Sequence, residues 1–157
     1  MSARLLSLLA ATVATGLSAG LFFGFACAVM PGLARTGDRT FSETMRHINV
    51  AIVNPVFLAV FAGSPLLIAL ATMAHLGQAG LPWVAAALVL YLAGVVITGR
   101  VNIPLNNELA AGGDPGRPPG PGAARARFEA RWVRWHLVRT VALTASFACL
   151  TWALAVT

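Results

Sequence analysis

The sequence predicts an all-α protein, a transmembrane four-helix bundle with up-down-up-down topology. Of its 157 residues, 58% are apolar and only 10% are charged, whereas about 25% are charged in a typical soluble domain. The charges are also confined to a few stretches of the chain, which leaves long apolar runs able to cross a hydrocarbon core of about 30 Å. We therefore expect a single integral-membrane domain over residues 1–157, with spans at about 5–30, 48–74, 83–99 and 135–156.

Prolines mark the end of the first span and interrupt the second. Residues 5–30 contain no charge, and the run is too long for the short apolar region of a secretory signal, so we expect it to stay in the mature protein. Pro31 and Gly32 mark its end, and a short charged loop should follow. Residues 48–74 contain Pro55 and Pro65, which predict kinks in one spanning helix.

A Pro/Gly-rich segment separates the last two spans. Residues 112–122 should form a flexible linker. Helical character resumes just after it, where Arg125 and Glu129 are four residues apart and can pair across one turn. Because the remaining connections are short, consecutive spans should be antiparallel neighbours.

The arginines predict the orientation in the cell membrane. The formal net charge is +6, and all eleven basic residues are Arg. Ten of them flank one side of the predicted spans and only Arg4 lies on the other side, so the positive-inside rule predicts cytoplasmic charged loops and both termini outside. Because these arginines flank membrane spans, we expect contact with the lipid bilayer and no nucleic-acid partner.

Small residues recur every fourth position along the first span, at Gly16, Gly20 and Gly24. Such a stripe lets another helix approach closely. Packing against a sister helix of the same chain is the favoured interpretation, and a homo-oligomer through this face is the alternative.

Polar side chains at membrane depth provide the candidate site. Polar groups are costly in hydrocarbon and tend to face the bundle interior. In an antiparallel bundle, those of the last three spans meet at one end. The candidates are His47, Asn54 and Phe57 from the second span, Asn102 and Asn106 from the third, and Trp132, Trp135, His136 and Arg139 from the fourth. Amides, a guanidinium, an imidazole and aromatic walls suit a planar, lipophilic small molecule carrying a few oxygens. The alternative is that these residues only satisfy helix ends and form an interfacial belt.

Several short motifs resemble those of a known family. In chain order they are Gly20-Leu-Phe-Phe-Gly-Phe, Val29-Met-Pro31, Ile48-Asn49, Asn54-Pro55-Val-Phe57, Phe61-x-Gly63, Asn102-Ile-Pro104-Leu-Asn106, and Phe128-x-x-x-Trp132-x-x-Trp135-His136-x-x-Arg139-Thr140. Together they resemble the anthrone oxygenase family of small integral-membrane proteins. The chain departs from that pattern at His136, where the family is expected to carry Asn.

The resemblance implies an oxygenase of aromatic polyketide (secondary) metabolism. It implies that O2 oxidises an anthrone methylene to a carbonyl with no dedicated cofactor. On this hypothesis His136 is the base, while Arg139, Asn102 and Asn106 are donors to the developing oxyanion. Trp132, Trp135 and Phe57 would stack on the substrate, and Asn54 would either orient it or bridge the kink at Pro55.

Two other classes remain open on sequence grounds. His47 and His136 could be axial ligands of a haem, or could bind a metal ion together with Glu43, Glu108 or Glu129. The chain could also be a non-enzymatic accessory or small-molecule-binding subunit. A proton-coupled transporter is not favoured, because no acidic residue lies in the middle of a span.

Overall fold

Four long helices and one shorter helix make up the protein. The structure is a computed structural model that describes residues 2–112 and 120–156. The long helices are α1 (Ala3–Ala34), α3 (Pro55–Ala74), α4 (Leu81–Gly112) and α5 (Pro121–Ala155), and α2 (Asp38–Ala51) lies between α1 and α3. Each long helix is long and apolar enough to cross a membrane, and the described residues include no strand. The all-α, four-span prediction is confirmed.

The spanning helices are arranged in a ring that follows the chain order. Helix α1 packs mainly on α3 and α5, and α4 packs mainly on α3 and α5 as well. The closest approach is between α4 and α5, where a side chain at Gly94 would collide with Leu143. This is the arrangement expected of an up-down-up-down bundle.

The exterior of the bundle is apolar, unlike that of a soluble protein. Large aliphatic side chains face outward, among them Leu17, Val96 and Val141, each at least 60% exposed. Small hydroxyl side chains such as Ser64 and Ser146 are completely buried, and Ser146 donates to a backbone carbonyl of α4 at 2.8 Å. An apolar exterior is stable only against lipid, so this is a multi-pass membrane protein.

Tyr91 connects three helices in the middle of the bundle. Its hydroxyl is buried and lies 3.0 Å from both Oγ of Ser18 on α1 and the carbonyl oxygen of Phe61 on α3. A hydroxyl in hydrocarbon needs such partners. The contact therefore fixes the depth of α4 relative to its neighbours.

The predicted second span is broken at Asn54. This residue has an extended backbone (φ −125°, ψ 161°) and its side chain accepts a hydrogen bond from the Phe57 amide, so it caps α3. Pro55 is the first residue of α3, a position where its missing N–H costs nothing. The prediction of one kinked helix over 48–74 was wrong: residues 48–51 belong to α2, whereas α3 does continue through Pro65.

Helices α1 and α4 both extend beyond their predicted ends, and in both a π-helical turn precedes a proline. A π-helical turn, Phe25–Val29, precedes Pro31, and a second, Thr98–Asn102, precedes Pro104. The amide that follows each turn, that of Met30 or Ile103, bonds to the carbonyl five residues earlier, which widens the helix just before a proline that has no N–H to donate. Both helices therefore continue past the expected span ends near residues 30 and 99, and Pro31 does not end the first helix as expected.

Three of the helices are longer than the membrane is thick. Helix α1 has 32 residues, or about 48 Å at about 1.5 Å per residue, and α5 begins well before the predicted residue 135. The parts of these helices that exceed the membrane thickness pack with α2. They form an apolar cluster built around Phe41, Met45, Leu109 and Phe128. The predicted linker at 112–122 falls largely on residues 113–119, outside the described part of the chain.

Arg125 holds the α1–α2 turn against α5. Its guanidinium donates to the carbonyls of Ala34 and Thr36 at 3.0 and 2.8 Å, and to Asp38 at 3.1 Å. The predicted pair with Glu129 also forms, at 2.7 Å. One side chain thus satisfies the C-terminal carbonyls of α1 and fixes the start of α2.

The glycine stripe of α1 has two environments. A side chain at Gly16 would come within 2.9 Å of the Phe147 ring on α5, so this glycine serves helix packing within the chain. Gly20 and Gly24 have open space where a side chain would be.

Candidate functional site

A cavity of about 250 Å³ lies at the end of the bundle where α3 begins. Its apolar walls are Leu21, Phe22, Phe25, Ile48, Ile52, Val53, Phe57, Ile103 and Trp132. Its polar lining is Asn49, Thr98, Asn106, Asn107, His136 and Arg139. All five helices or their connections contribute, so the cavity exists only in the folded bundle. Its volume is just below the range of about 300–1,000 Å³ typical of ligand pockets, which suits a compact ring system.

His136 and Arg139 form a buried pair on one face of α5. Nε and Nη2 of Arg139 donate to Nδ1 of His136 at 3.1 and 3.0 Å. Nη1 of Arg139 donates to Oγ1 of Thr98 at 3.0 Å. On its other side, the His136 ring has Nε2 at 3.0 Å from the carbonyl oxygen of Phe22. The pair therefore links α5 to the π-helical turn of α4 and to α1.

These contacts define the protonation state of His136. A guanidinium has donors only and a carbonyl has acceptors only. Nδ1 must therefore accept from Arg139, and Nε2 must carry the proton and donate to Phe22. His136 is the neutral tautomer with both ring nitrogens engaged.

Arg139 is a buried cation without a carboxylate. The residue is 7% exposed, and none of the ion pairs among the described residues includes it. Its guanidinium carbon lies 4.6 Å from the ring centre of Phe22 and 5.3 Å from that of Trp132. Aromatic faces and neutral acceptors compensate only part of a buried charge, so the site attracts an anion.

Stacked rings form one wall of the cavity. The Trp132 and His136 rings are 4.7 Å apart and nearly parallel, and Phe22 also stacks on His136, at 5.6 Å. The stack continues through Phe61 at 5.5 Å to Phe57 at 5.2 Å. All of these rings except Phe61 line the cavity, so this wall offers an aromatic surface to a ligand.

The asparagines have different roles. Oδ1 of Asn106 accepts from Nε1 of Trp132 at 2.8 Å, and Nδ2 of Asn102 donates to the carbonyl of Trp132 at 3.3 Å. Both amides therefore hold Trp132 in place. Oδ1 of Asn102 and Nδ2 of Asn49 are buried and have no hydrogen-bond partner among the described residues.

A comparison with protein families identifies the family. The family model of anthrone oxygenase matches residues 43–149. The chain belongs to the anthrone oxygenase family. The match runs from α2 through most of α5 and contains every cavity residue except the three from α1. No curated protein and no solved structure is significantly similar to the chain.

The structure brings five of the nine residues predicted for the candidate site together around the cavity. The residues that line the cavity are Phe57, Asn106, Trp132, His136 and Arg139. Asn102 lies behind them and is buried. The remaining three, His47, Asn54 and Trp135, do not line the cavity. His47 and Asn54 are exposed, and the side chain of Asn54 is engaged in capping α3.

Ten of the fifteen residues that line the cavity were not among the predicted site residues, and four of these ten are aromatic or polar residues next to the pair of His136 and Arg139 or unpaired in the cavity wall: Phe22, Phe25, Asn49 and Thr98. Phe22 and Phe25 were noted only as part of a motif, and Asn49 only as the neighbour of Ile48. Thr98 was not considered, although a hydroxyl near the end of a span is a recognisable signal. Phe22, Phe25 and Asn49 lie in the motifs that resemble the family. The sequence does not show, however, which wall of the cavity each of them forms.

His47 and His136 are the candidate ligands of the haem or metal alternative. His47 is exposed on α2 and lies outside the cavity lining, and His136 would have to give up a hydrogen bond to become a ligand. Within residues 2–112 and 120–156, no three His, Cys, Asp or Glu side chains are grouped so that they could hold a metal ion.

Proposed function

We propose that this protein is a membrane-embedded oxygenase that oxidises a planar, lipophilic, anthrone-type substrate with O2, in secondary metabolism. The observation that carries the proposal is Arg139, a buried guanidinium that faces an aromatic cavity and has no carboxylate partner in the described part of the chain. Removing a proton from an anthrone methylene gives an enolate, and its negative charge is what such a guanidinium stabilises. Membership of the anthrone oxygenase family supports the same substrate class.

The mouth of the cavity favours a substrate that comes from the membrane. The exposed lining residues are mainly aliphatic: Leu21 is 39% exposed, Val53 65% and Ile103 48%. A lipophilic aromatic dissolved in the bilayer can pass such a rim without crossing a charged surface. The substrate then lies against the rings of Trp132 and Phe57.

His136 acts as the base once the substrate has engaged Arg139. In the free protein the lone pair of Nδ1 is occupied by two N–H groups of Arg139. The substrate carbonyl offers the guanidinium a second acceptor, and its attraction grows as the oxygen becomes negative. Nδ1 is then released to accept the methylene proton, while Nε2 keeps its hydrogen bond to Phe22.

Oxygen chemistry completes the reaction without another reductant. The enolate gives up its electrons to O2 and a carbon–oxygen bond forms at the former methylene carbon. His136 returns its proton to the distal oxygen, giving a hydroperoxide. Loss of the second C–H proton and cleavage of the O–O bond then yield the quinone carbonyl and water. One O2 is consumed, one of its atoms enters the product, and no cofactor beyond O2 is needed.

Oxygen uptake by the purified protein tests this proposal. Detergent-solubilised protein is given anthrone, with heat-denatured protein as the blank for spontaneous oxidation, and O2 and anthraquinone are quantified together. We expect equimolar O2 consumption and quinone formation.

His136→Ala and Arg139→Ala should each lower turnover by about 10²- to 10⁴-fold. Arg134→Ala, which changes an exposed arginine of the same helix, should leave turnover unchanged. Full turnover by both folded site variants would refute the assignment.

We further propose that the charged end of the bundle faces the cytoplasm and that both termini lie outside. Apart from Arg4, all described arginines lie in the α1–α2 region, in the second half of α4 or between residues 125 and 139 of α5. The positive-inside rule then sets the orientation. Labelling of single cysteines placed at Ser2 and at Thr40 with a membrane-impermeant reagent checks it: only the cysteine at position 2 should react from outside.

A further inference from the structure

Asn49 has a side-chain amide donor without a hydrogen-bond partner among the described residues. Asn49 lies near the C-terminal end of α2 and lines the cavity together with Ile48 and Ile52. Its Nδ2 is buried and makes no hydrogen bond with any described residue. Buried amides are nearly always satisfied, so an unpaired donor on a cavity-lining residue points to an acceptor on the ligand, which the amide reaches by turning toward the cavity.

Neighbouring polar groups do not supply that acceptor. Oδ1 of Asn106 already accepts from Trp132, and Oγ1 of Thr98 accepts from Arg139 and donates within α4. Nδ1 of His136 is occupied by Arg139. The remainder of the wall around Asn49 is aliphatic, from Ile48, Ile52 and Val53.

We propose that Asn49 donates a hydrogen bond to an oxygen on the edge of the bound ring system and thereby selects oxygenated aromatics over plain hydrocarbons. Asn49 lies on α2, whereas His136 and Arg139 lie on α5, so the ligand is held from two helices. This inference rests on the proposed function, because it adds the recognition group to the same cavity. A site built around a donor rejects a ligand that lacks the acceptor, because the amide is then left buried and unpaired.

Binding of two ligands with the same ring frame provides the test. Anthraquinone carries an oxygen on two ring edges and anthracene carries none. Affinities are measured for the detergent-solubilised full-length protein by quenching of tryptophan fluorescence, since Trp132 lines the cavity. The variants are Asn49→Leu, which keeps the size but removes the donors, and Asn49→Asp, which keeps the shape but replaces donors with acceptors. Val50→Leu is the matched control, because Val50 is the next residue of α2 and is 77% exposed.

We expect the wild-type protein and the Val50 variant to bind anthraquinone more tightly than anthracene. Asn49→Leu should bind anthraquinone roughly 10- to 100-fold more weakly and anthracene with little change. Asn49→Asp should weaken anthraquinone binding at least as much. Unchanged anthraquinone binding by Asn49→Leu, or an equal loss for both ligands, would overturn the inference. Circular dichroism and gel filtration in detergent show that each variant is folded.

Oxygen uptake with anthrone separates this inference from the proposed function. If the wild-type protein binds anthraquinone through Asn49 but shows no O2 uptake, the oxygenase proposal fails and the recognition role stands. If it consumes O2 and Asn49→Leu has the wild-type KM and kcat, the oxygenase proposal stands and the recognition role fails. If the wild-type protein binds neither ligand, the recognition role fails, and if it also consumes no O2 with anthrone, both are overturned.

Discussion

Arg139 donates two hydrogen bonds to a single atom, Nδ1 of His136, at distances of 3.1 and 3.0 Å. The two residues are three apart on α5, so the helix itself brings them together. A guanidinium usually pairs with a carboxylate, but here it pairs with a neutral ring nitrogen inside an apolar bundle. On the proposed function, the pair keeps a cation available for an anionic reaction intermediate, and His136 is the base once the substrate has engaged Arg139.

Arg139→Lys tests whether the reaction needs the planar guanidinium of Arg139 or only its positive charge. A lysine keeps the positive charge, but it cannot donate to His136 and Thr98 from one planar group or stack on Phe22 in the same way. We expect kcat for anthrone oxidation to fall by about 10²-fold with a smaller change in KM, because the loss is in the transition state. Arg134→Lys is the matched control, an exposed position on the same helix. Wild-type kcat for Arg139→Lys would mean that charge alone is sufficient.

The capping role of Asn54 leads to a prediction about stability. Asn54→Ala removes the acceptor for the Phe57 amide and should lower the free energy of unfolding by about 1 kcal/mol, whereas Asn54→Asp should restore it. Because the side chain does not line the cavity, oxygen uptake per folded molecule should stay at the wild-type level in both variants. Stability is measured by chemical unfolding in mixed micelles. A loss of activity without a loss of stability would instead favour substrate binding by Asn54.

The aliphatic mouth predicts that substrate entry can be blocked from the lipid side. Val53→Trp places a large ring at the rim, where Val53 is 65% exposed. We expect KM for anthrone to rise by about 3- to 10-fold with little change in kcat, because the reacting groups are untouched. Val50→Trp, on a face that does not line the cavity, serves as the control. Equal kinetics for the two tryptophan variants would indicate another route of entry.

The contacts of Arg125 with the α1–α2 turn lead to a second prediction about stability. Arg125→Met keeps part of the aliphatic stem but leaves the carbonyls of Ala34 and Thr36 without their donor, which should cost about 2 kcal/mol of stability. The α1–α2 turn should loosen and become easier for a protease to cut. Arg127→Met is the control, since Arg127 is exposed and forms none of the ion pairs among the described residues. Equal thermal unfolding temperatures for the two variants would contradict this role.

The sequence alone determined the class of the protein and which candidate residues share one face of α5. Hydropathy is a local property of the chain, so runs without charge revealed four spans before any contact was known. Helical periodicity likewise placed Trp132, His136 and Arg139 on one face, since residues three and four apart must be neighbours on a helix.

Only the tertiary structure decided where the second span starts and what the cavity contains. Proline has no N–H wherever it occurs, but whether it starts a helix, as at Pro55, or is accommodated by a π-helical turn, as at Pro104, depends on how neighbouring helices pack. The unpaired donor of Asn49 and the missing carboxylate beside Arg139 are relations between different helices. Sequence spacing does not encode such relations, because they arise when distant segments converge around one space.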